Sequence, residues 1–180
     1  PGLSFEAGLD EACKTLAMGG GVGYDFSPLP PSSADPVIYG STPAVCPAID
    51  RYDSACARLA FQGGRRGAQM AVLACNHPDI FEFVRAKHGR SRWTTFNISV
   101  AVTDAFLTSV QQDGAWPLLH PAQPDSRGTA RVAVKRPNGL WQYGQVSARA
   151  LWMAIIEQAV HSSEPGILYI DTINGANNLR

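Results

Sequence analysis

Apolar residues recur along the chain with two spacings, and their alternation predicts the secondary structure. Helical spacing occupies residues 6–18, 48–61, 76–88 and 104–111, and it is clearest after Ser147, where Leu151, Trp152 and Ile155 begin an apolar stripe. Short apolar runs between turn residues predict strands at 22–26, 70–75, 94–101 and 167–173. Helices therefore alternate with strands. This order predicts an α/β fold with a parallel sheet covered on both faces, either an open sheet or part of a barrel.

Turn and capping residues set the predicted ends of these elements. Asn76 or His77 is expected to cap one helix, Thr103 or Asp104 the next, and Ser147 the last. The turn Arg136-Pro-Asn-Gly139 predicts a hairpin between 131–134 and 140–143. The proline-rich segment 28–47 is predicted to be a long surface loop, and 174–178 also has the composition of a loop.

A glycine- and arginine-rich stretch lies between a predicted helix and a predicted strand. It consists of Gln62, Gly63, Gly64, Arg65, Arg66, Gly67, Ala68 and Gln69. Glycines let the backbone approach a ligand closely, and arginine donors suit phosphate, carboxylate or a base edge. From composition alone, a solvated connector is favoured over a ligand-binding loop.

Two other features suggest chemistry without specifying it. Gly19, Gly20 and Gly21 form part of a G-G-G-x-G string, but no G-K-[ST] follows, so a phosphate-binding P-loop is not supported. These glycines can equally end a helix and open a strand. His77 could act as a base, but no acid or nucleophile lies near it in sequence, and a capping or core histidine is favoured.

Composition narrows the class of protein. The chain has 180 residues, 45% of them hydrophobic, and a formal net charge of zero, so nothing indicates a nucleic-acid or anionic-membrane partner. No apolar run approaches the ~20 residues of a membrane span. Scattered cysteines without metal-ligand spacing predict reduced thiols in a cytoplasmic protein; these are Cys13, Cys46, Cys56 and Cys75. Because the chain begins at Pro1, we expect it to be part of a longer protein.

Several stretches together resemble the large catalytic subunit of ribonucleotide reductase, in its adenosylcobalamin-dependent (class II) form. They occur in the family's order and cover nearly the whole chain. They are Gly19-Gly-Gly-Val-Gly-Tyr-Asp-Phe-Ser27, Gly63-Gly-Arg-Arg-Gly-Ala-Gln-Met-Ala-Val-Leu73, His77-Pro-Asp-Ile80, Phe96-Asn-Ile-Ser-Val100, Val102-Thr-Asp-Ala-Phe106, and Glu164-Pro-Gly-Ile-Leu-Tyr-Ile-Asp171 with Asn174.

The resemblance implies a fold and an activity. The expected fold is about half of a ten-stranded α/β barrel, with residues 1–180 forming a partial catalytic domain. The expected activity is reduction of a ribonucleotide to the 2′-deoxyribonucleotide by a cobalamin-initiated thiyl radical. Expected partners are the ribonucleotide substrate, a dNTP effector, a thioredoxin-like reductant and a second copy in a homodimer.

The resemblance also assigns sites. Residues 62–70 correspond to the specificity loop, which carries information from the effector to the substrate base. Gly20 and Gly21 lie in the turn whose backbone approaches the substrate, and segment 28–47 corresponds to an effector-contacting region. Pro30 stands where relatives commonly have arginine, and Thr42-Pro-Ala44 replaces a usual Ser-Gly-Pro, which weakens the effector assignment.

No catalytic residue is expected within the chain. Its four cysteines match neither the radical cysteine nor the redox pair, so the isolated chain is predicted to be inactive and poorly stable, with an unpaired sheet edge. Two alternatives remain open at this point: the oxygen-dependent class I large subunit with a di-iron partner, and a dNTP-binding regulatory module without chemistry.

Overall fold

A computed structural model describes residues 4–59, 68–89, 91–128 and 132–178. In chain order the elements are α1 Phe5–Ala17, β1 Gly21–Asp25, α2 Pro36–Tyr39, α3 Val45–Ala57, β2 Ala68–Ala74, α4 Ile80–Arg85, β3 Phe96–Val102, α5 Asp104–Gln111, β4 Ala115–His120, β5 Val134–Lys135, β6 Trp141–Ser147, α6 Ala148–Ser162, β7 Gly166–Tyr169 and α7 Ile170–Ala176.

The main sheet is parallel, as the sequence predicts. Its strands run in the order β1-β2-β3-β7, so each strand lies beside the next parallel strand along the chain. Right-handed crossovers that always step in the same direction place their helices on one face of the sheet. Winding of this kind is that of a barrel wall and not of a doubly wound open sheet, so the predicted α/β barrel segment is confirmed.

The core lies between this sheet and its helices. The core contains fully buried residues from both strands and helices. They include Ala71 and Leu73 of β2, Ile98 and Val100 of β3, and Ile49 of α3. Along β1 and at the start of β2, exposed residues alternate with buried or half-buried ones. The exposed residues are Gly21, Gly23, Asp25, Ala68 and Met70. The prediction of a sheet covered on both faces is therefore wrong for these strands.

A small antiparallel sheet, in the order β4-β6-β5, packs at the carboxyl end of β2. The Trp116 indole donates to the carbonyl of Cys75 at 3.1 Å, and the Leu119 amide donates to the carbonyl of Asn76 at 2.7 Å. The predicted hairpin is confirmed, with Gly139 at φ +84° in its turn. Its second strand also pairs with β4, which the sequence pattern does not predict.

Three predicted boundaries are wrong. The helix expected from Asn76 or His77 begins at Ile80, after a turn that contains Pro78. Residues 170–176 form α7 and not strand or loop, and the Asp171 carboxylate accepts from the Asp104 amide at 2.8 Å. Because β7 pairs with β3 only as far as Tyr169, no neighbouring strand holds the following β-branched residues extended.

The third correction concerns segment 28–47. Instead of an uninterrupted surface loop, it contains α2 and the first turn of α3, and Pro30, Pro31 and Ala34 are buried. A one-bridge pairing of Ala34 with Pro124 ties it to the segment after β4. Proline blocks regular ladders but not burial, which explains why composition alone suggested a loop.

The remaining caps agree with prediction. Thr103 Oγ1 accepts from the Phe106 amide at 3.1 Å, and Ser147 Oγ accepts from the Ala150 amide at 3.2 Å. In the described part of the chain, no helix is both long and apolar enough to cross a membrane.

Candidate functional site

The glycines at the start of β1 have different structural roles. Gly19 has a φ of +83°, and the Gly20 amide donates to the carbonyl of Thr15 at 3.0 Å, which ends α1. A Cβ on Gly20 would lie 2.9 Å from Thr15 Cγ2 and 3.0 Å from Thr15 O. Both residues are therefore required by the tight turn between α1 and β1, whatever they bind.

Gly21 has no such constraint. It is the first residue of β1 and pairs with Ala68, the first residue of β2. A Cβ on Gly21 would make only ordinary contacts, 3.6 Å from Ala68 O and 3.8 Å from Ala68 Cβ. Gly21 and Ala68 are both exposed, so bare backbone is accessible at this point. The sheet thus brings the predicted substrate-contacting turn beside the end of the predicted specificity loop.

Most of that loop lies outside the described residues: Gln62, Gly63, Gly64, Arg65, Arg66 and Gly67. Ala68 and Gln69 are described, and they differ sharply. Ala68 is exposed, whereas Gln69 is 2% exposed and points to the helical side of the sheet. Position 69 is therefore the anchored end of the loop.

The Gln69 side chain belongs to a hydrogen-bonded chain that links three elements. Its Oε1 accepts from the Tyr24 hydroxyl at 2.8 Å, and its Nε2 donates to Thr95 Oγ1 at 3.0 Å. Thr95 Oγ1 and the Thr95 amide both donate to Asp53 Oδ1, at 2.5 and 3.0 Å. Sequence reasoning missed Tyr24, Thr95 and Asp53. The available signal was a glutamine at an inward position of an otherwise apolar strand.

The predicted effector region borders a groove of about 510 Å³ at the other end of β1. The described residues that line it include the carboxylate of Asp25 but no lysine or arginine; they are Ser4, Phe5, Gly8, Tyr24, Asp25, Phe26, Leu29, Thr42 and Tyr52. A triphosphate needs cationic or amide donors. This wall offers hydroxyl groups for a nucleoside but no cation for its phosphates.

Buried polar groups gather at the carboxyl end of β2. His77 donates from Nε2 to the carbonyl of Leu29 at 3.1 Å and accepts the Asp79 amide on Nδ1 at 3.1 Å. The His120 ring lies 5.1 Å from that of His77, and its Nδ1 accepts the Ala122 amide at 2.9 Å. The buried Asp79 carboxylate accepts from the Ser32 amide and hydroxyl.

Burial determines the protonation of this carboxyl-edge cluster, which consists of His77, His120, Asp79 and Ser32. Desolvation lowers the pKa of His77 from 6.5 to about 4. The pKa of His120 is lowered to about 4 by desolvation and by proximity to His77. Both imidazoles are therefore neutral near pH 7. The interpretation of His77 as a core histidine fits this geometry, although it does not cap a helix.

The four cysteines have no features of reactive thiols. All are free, and Cys46, Cys56 and Cys75 are buried. Desolvation by burial raises the pKa of each, to about 11 for Cys75, and Asp10 adds to the effect at Cys13. Nucleophilic and redox cysteines need a lowered pKa and access. The raised pKa values and the burial of three of these thiols therefore fit structural roles.

The described residues offer no place for a metal or for cobalamin. No group of three or more His, Cys, Asp or Glu side chains within the described ranges could hold a metal ion. At the carboxyl end of β2, both His77 nitrogens are engaged, and His120 Nε2, although it has no hydrogen-bond partner, is fully buried, so neither imidazole is presented to a cobalt ion. The donor set here does not fit a cobalamin site.

Comparison with known proteins agrees with this architecture. Residues 5–180 match the family model described as ribonucleotide reductase, barrel domain. The vitamin B12-dependent ribonucleoside-diphosphate reductase of Mycobacterium tuberculosis (strain CDC 1551 / Oshkosh) is 38% identical over 97% of this chain and 23% of its own length.

Two further relatives also carry ribonucleoside-diphosphate reductase names, and one of these names includes vitamin B12 dependence. The vitamin B12-dependent ribonucleoside-diphosphate reductase of Thermoplasma acidophilum is 34% identical over 94% of this chain, and the ribonucleoside-diphosphate reductase large chain of Neurospora crassa is 28% identical over 95%. The chain spans only about a fifth to a quarter of the length of these curated relatives. Since the family model covers almost the whole chain, the chain belongs to the ribonucleotide reductase family and corresponds to its barrel domain.

Proposed function

We propose that this chain is part of the catalytic barrel of an adenosylcobalamin-dependent ribonucleotide reductase, in which it supplies the substrate-contacting turn and the specificity loop. The observation that carries the proposal is the pairing of Gly21 with Ala68. It sets the bare backbone of one segment beside the end of the other, at the same edge of the sheet.

The amino edge has the chemistry that nucleotide binding requires. Accessible glycine backbone lets a ligand approach closely, and the adjacent loop carries Arg65 and Arg66, whose donors suit phosphate or a base edge. In this proposal these arginines contact a nucleotide at the amino edge, and the groove near segment 28–47, which has no described cation and lies at the other end of β1, is given no role in binding phosphates.

The choice of the cobalamin class rests on the relatives. Two of those compared are named vitamin B12-dependent and are 38% and 34% identical, against 28% for the fungal large chain. When bound, adenosylcobalamin would supply the radical that begins reduction. Since the described residues do not fit the cofactor, none of them is given a role toward it. In this proposal the four cysteines present are not assigned the radical or redox roles, because their raised pKa values do not suit a reactive thiol.

The test is an assay of a full-length reductase carrying this sequence. We expect formation of deoxyribonucleotide from ribonucleotide with adenosylcobalamin and a dithiol, in the absence of any second subunit. The isolated 180-residue chain, assayed in parallel, should form none. Activity that instead requires a di-iron subunit and no cobalamin would identify the oxygen-dependent class. Binding of dNTP without any reduction under either condition would support a regulatory module.

A further inference from the structure

The two ends of the glycine-arginine loop are connected to each other through buried side chains. The chain leaves α3 at Ala57 and enters β2 at Ala68. Asp53 lies one turn before the end of α3, and Gln69 is the second residue of β2. Thr95, just before β3, contacts both, which closes a link across the base of the loop.

The direction of every hydrogen bond in this link follows from its carboxylate end. A carboxylate only accepts, so the Thr95 hydroxyl must donate to Asp53 and can accept only from Gln69. The Gln69 group that faces Thr95 is therefore the NH₂, which places Oε1 toward Tyr24 and makes Tyr24 the donor. One arrangement satisfies all of these donors, so the buried amide has a single orientation.

The aromatic end of the link is also fixed. The Tyr24 ring lies 4.7 Å from that of Tyr52, which is next to Asp53 on α3, and 5.7 Å from that of Phe96 on β3. Desolvation by burial raises the pKa of the Tyr24 hydroxyl, so it stays protonated and able to donate. Two consecutive residues thus hold helix α3 to the sheet: Tyr52 through its ring contact with Tyr24, and Asp53 through its hydrogen bonds to Thr95.

We propose that Tyr24, Thr95 and Asp53 are positioning residues that clamp the base of the specificity loop through Gln69. This inference rests on the proposed function of that loop. With its base fixed, a movement of the loop cannot be absorbed by sliding of β2 or by displacement of α3. In this proposal the clamp keeps Ala68 in register with Gly21, so that a contact made at the loop is transmitted to the turn that approaches the substrate.

The clamp is tested by substrate preference in a full-length reductase carrying this sequence. The measurement is the ratio of turnover for two ribonucleotides, with and without each of the four deoxynucleoside triphosphates. Thr95→Val keeps the shape but removes the hydroxyl, and should reduce the effector-induced change in this ratio roughly three- to tenfold. Tyr24→Phe removes only the outer hydrogen bond and should reduce it about twofold to threefold.

Two variants serve as controls. Thr95→Ser retains the hydroxyl and should restore the effector response to near that of the wild type. Tyr143→Phe removes a comparable, partly buried hydroxyl, which donates to the carbonyl of Ala122 at 2.8 Å on the small sheet, and should leave the response within about twofold. Thermal unfolding of each variant is measured alongside. If Thr95→Val does not fold, Tyr24→Phe against Tyr143→Phe still decides.

Arg66→Ala separates the function of the loop from that of the clamp. If it leaves the preference unchanged with all four effectors, the coupling role of the loop fails, and the clamp's role fails with it. If Arg66→Ala alters the preference but Thr95→Val and Tyr24→Phe do not, the loop keeps its function and the clamp is overturned. Equal loss of turnover for every substrate in Thr95→Val, with an unchanged ratio, would likewise reduce the link to a structural network.

Discussion

The two edges of the parallel sheet both hold polar and glycine residues, but they use them in opposite ways. At the carboxyl edge, His77, Asp79 and Ser32 are bonded to one another or to nearby backbone, under the cover of segment 28–47 and the small sheet. At the amino edge, Gly21 and Ala68 leave backbone exposed, while the side chain of Gln69 is buried on the helical side of the sheet.

This difference shows that polarity near a strand end does not by itself mark a ligand site. In open α/β sheets and barrels, ligands usually bind at the carboxyl ends of the strands. Here that edge of β2 is filled by buried side chains that bond to one another or to nearby backbone, with only His120 Nε2 among the described side-chain atoms left buried without a hydrogen-bond partner, whereas accessible backbone lies at the opposite edge. A buried polar group whose partners all come from the protein has little left with which to bind a ligand.

Lowering the pH should destabilise the folded chain through the carboxyl-edge cluster, and this is the largest effect expected. The folded-state pKa of His77 is about 4, below its ordinary 6.5, so the unfolded chain binds more protons between these values. The contribution of His77 to the free energy of unfolding should be fully present above pH 6.5. It should decrease as the pH falls toward 4, by on the order of 3 kcal/mol. His120 acts in the same direction, and Asp79, whose pKa burial raises, acts in the opposite one.

The check is the free energy of unfolding from urea titrations of the full-length protein at pH 7, 6 and 5. His120→Phe should make the dependence on pH shallower, because one of the two titrating imidazoles is removed. A slope that is the same in this variant and the wild type would contradict the assignment.

Removing one side chain from the same cluster should have the next largest effect. His77→Ala leaves the Leu29 carbonyl and the Asp79 amide without partners and opens a cavity, which should cost about 3 kcal/mol of unfolding free energy. His88→Ala is the matched control: His88 is exposed, so the loss should be within about 0.5 kcal/mol. Equal losses in the two variants, measured by urea denaturation, would show that the cluster is not structural.

The smallest effect is expected at Gly21 of the amino edge, where, unlike at the neighbouring Gly20, it should appear in binding and not in stability. Gly20→Ala forces Cβ against Thr15 and should cost roughly 1–3 kcal/mol of stability. Gly21→Ala should change stability by less than about 1 kcal/mol. It should nevertheless raise the KM for ribonucleotide about fivefold, the equivalent of about 1 kcal/mol of overpacking.

Gly23→Ala provides the comparison on the same face of β1, since its Cβ would meet nothing within 4 Å. Its KM should stay within about twofold of the wild type. If Gly21→Ala also leaves KM unchanged, Gly21 does not approach the substrate.

The sequence predicted those parts of the fold that depend on local spacing. Ser147 and Thr103 act as helix caps, and the strands lie close to their predicted positions because capping and periodicity are local properties. Where tertiary contacts override local preference, the predictions fail. Residues 170–173 have the composition of a strand, yet they form helix beyond the last residue of β7 that pairs with β3.

The chain's own pattern thus determined its α/β class, the parallel order and the family to which it belongs. Only the tertiary structure decided which edge of the sheet is closed and which is accessible, and that Asp53, Thr95, Gln69 and Tyr24 meet. The partners in these hydrogen bonds are 45, 26 and 42 residues apart along the sequence. No periodicity encodes such a meeting, because hydrogen bonds between distant elements form only when the sheet and its helices pack.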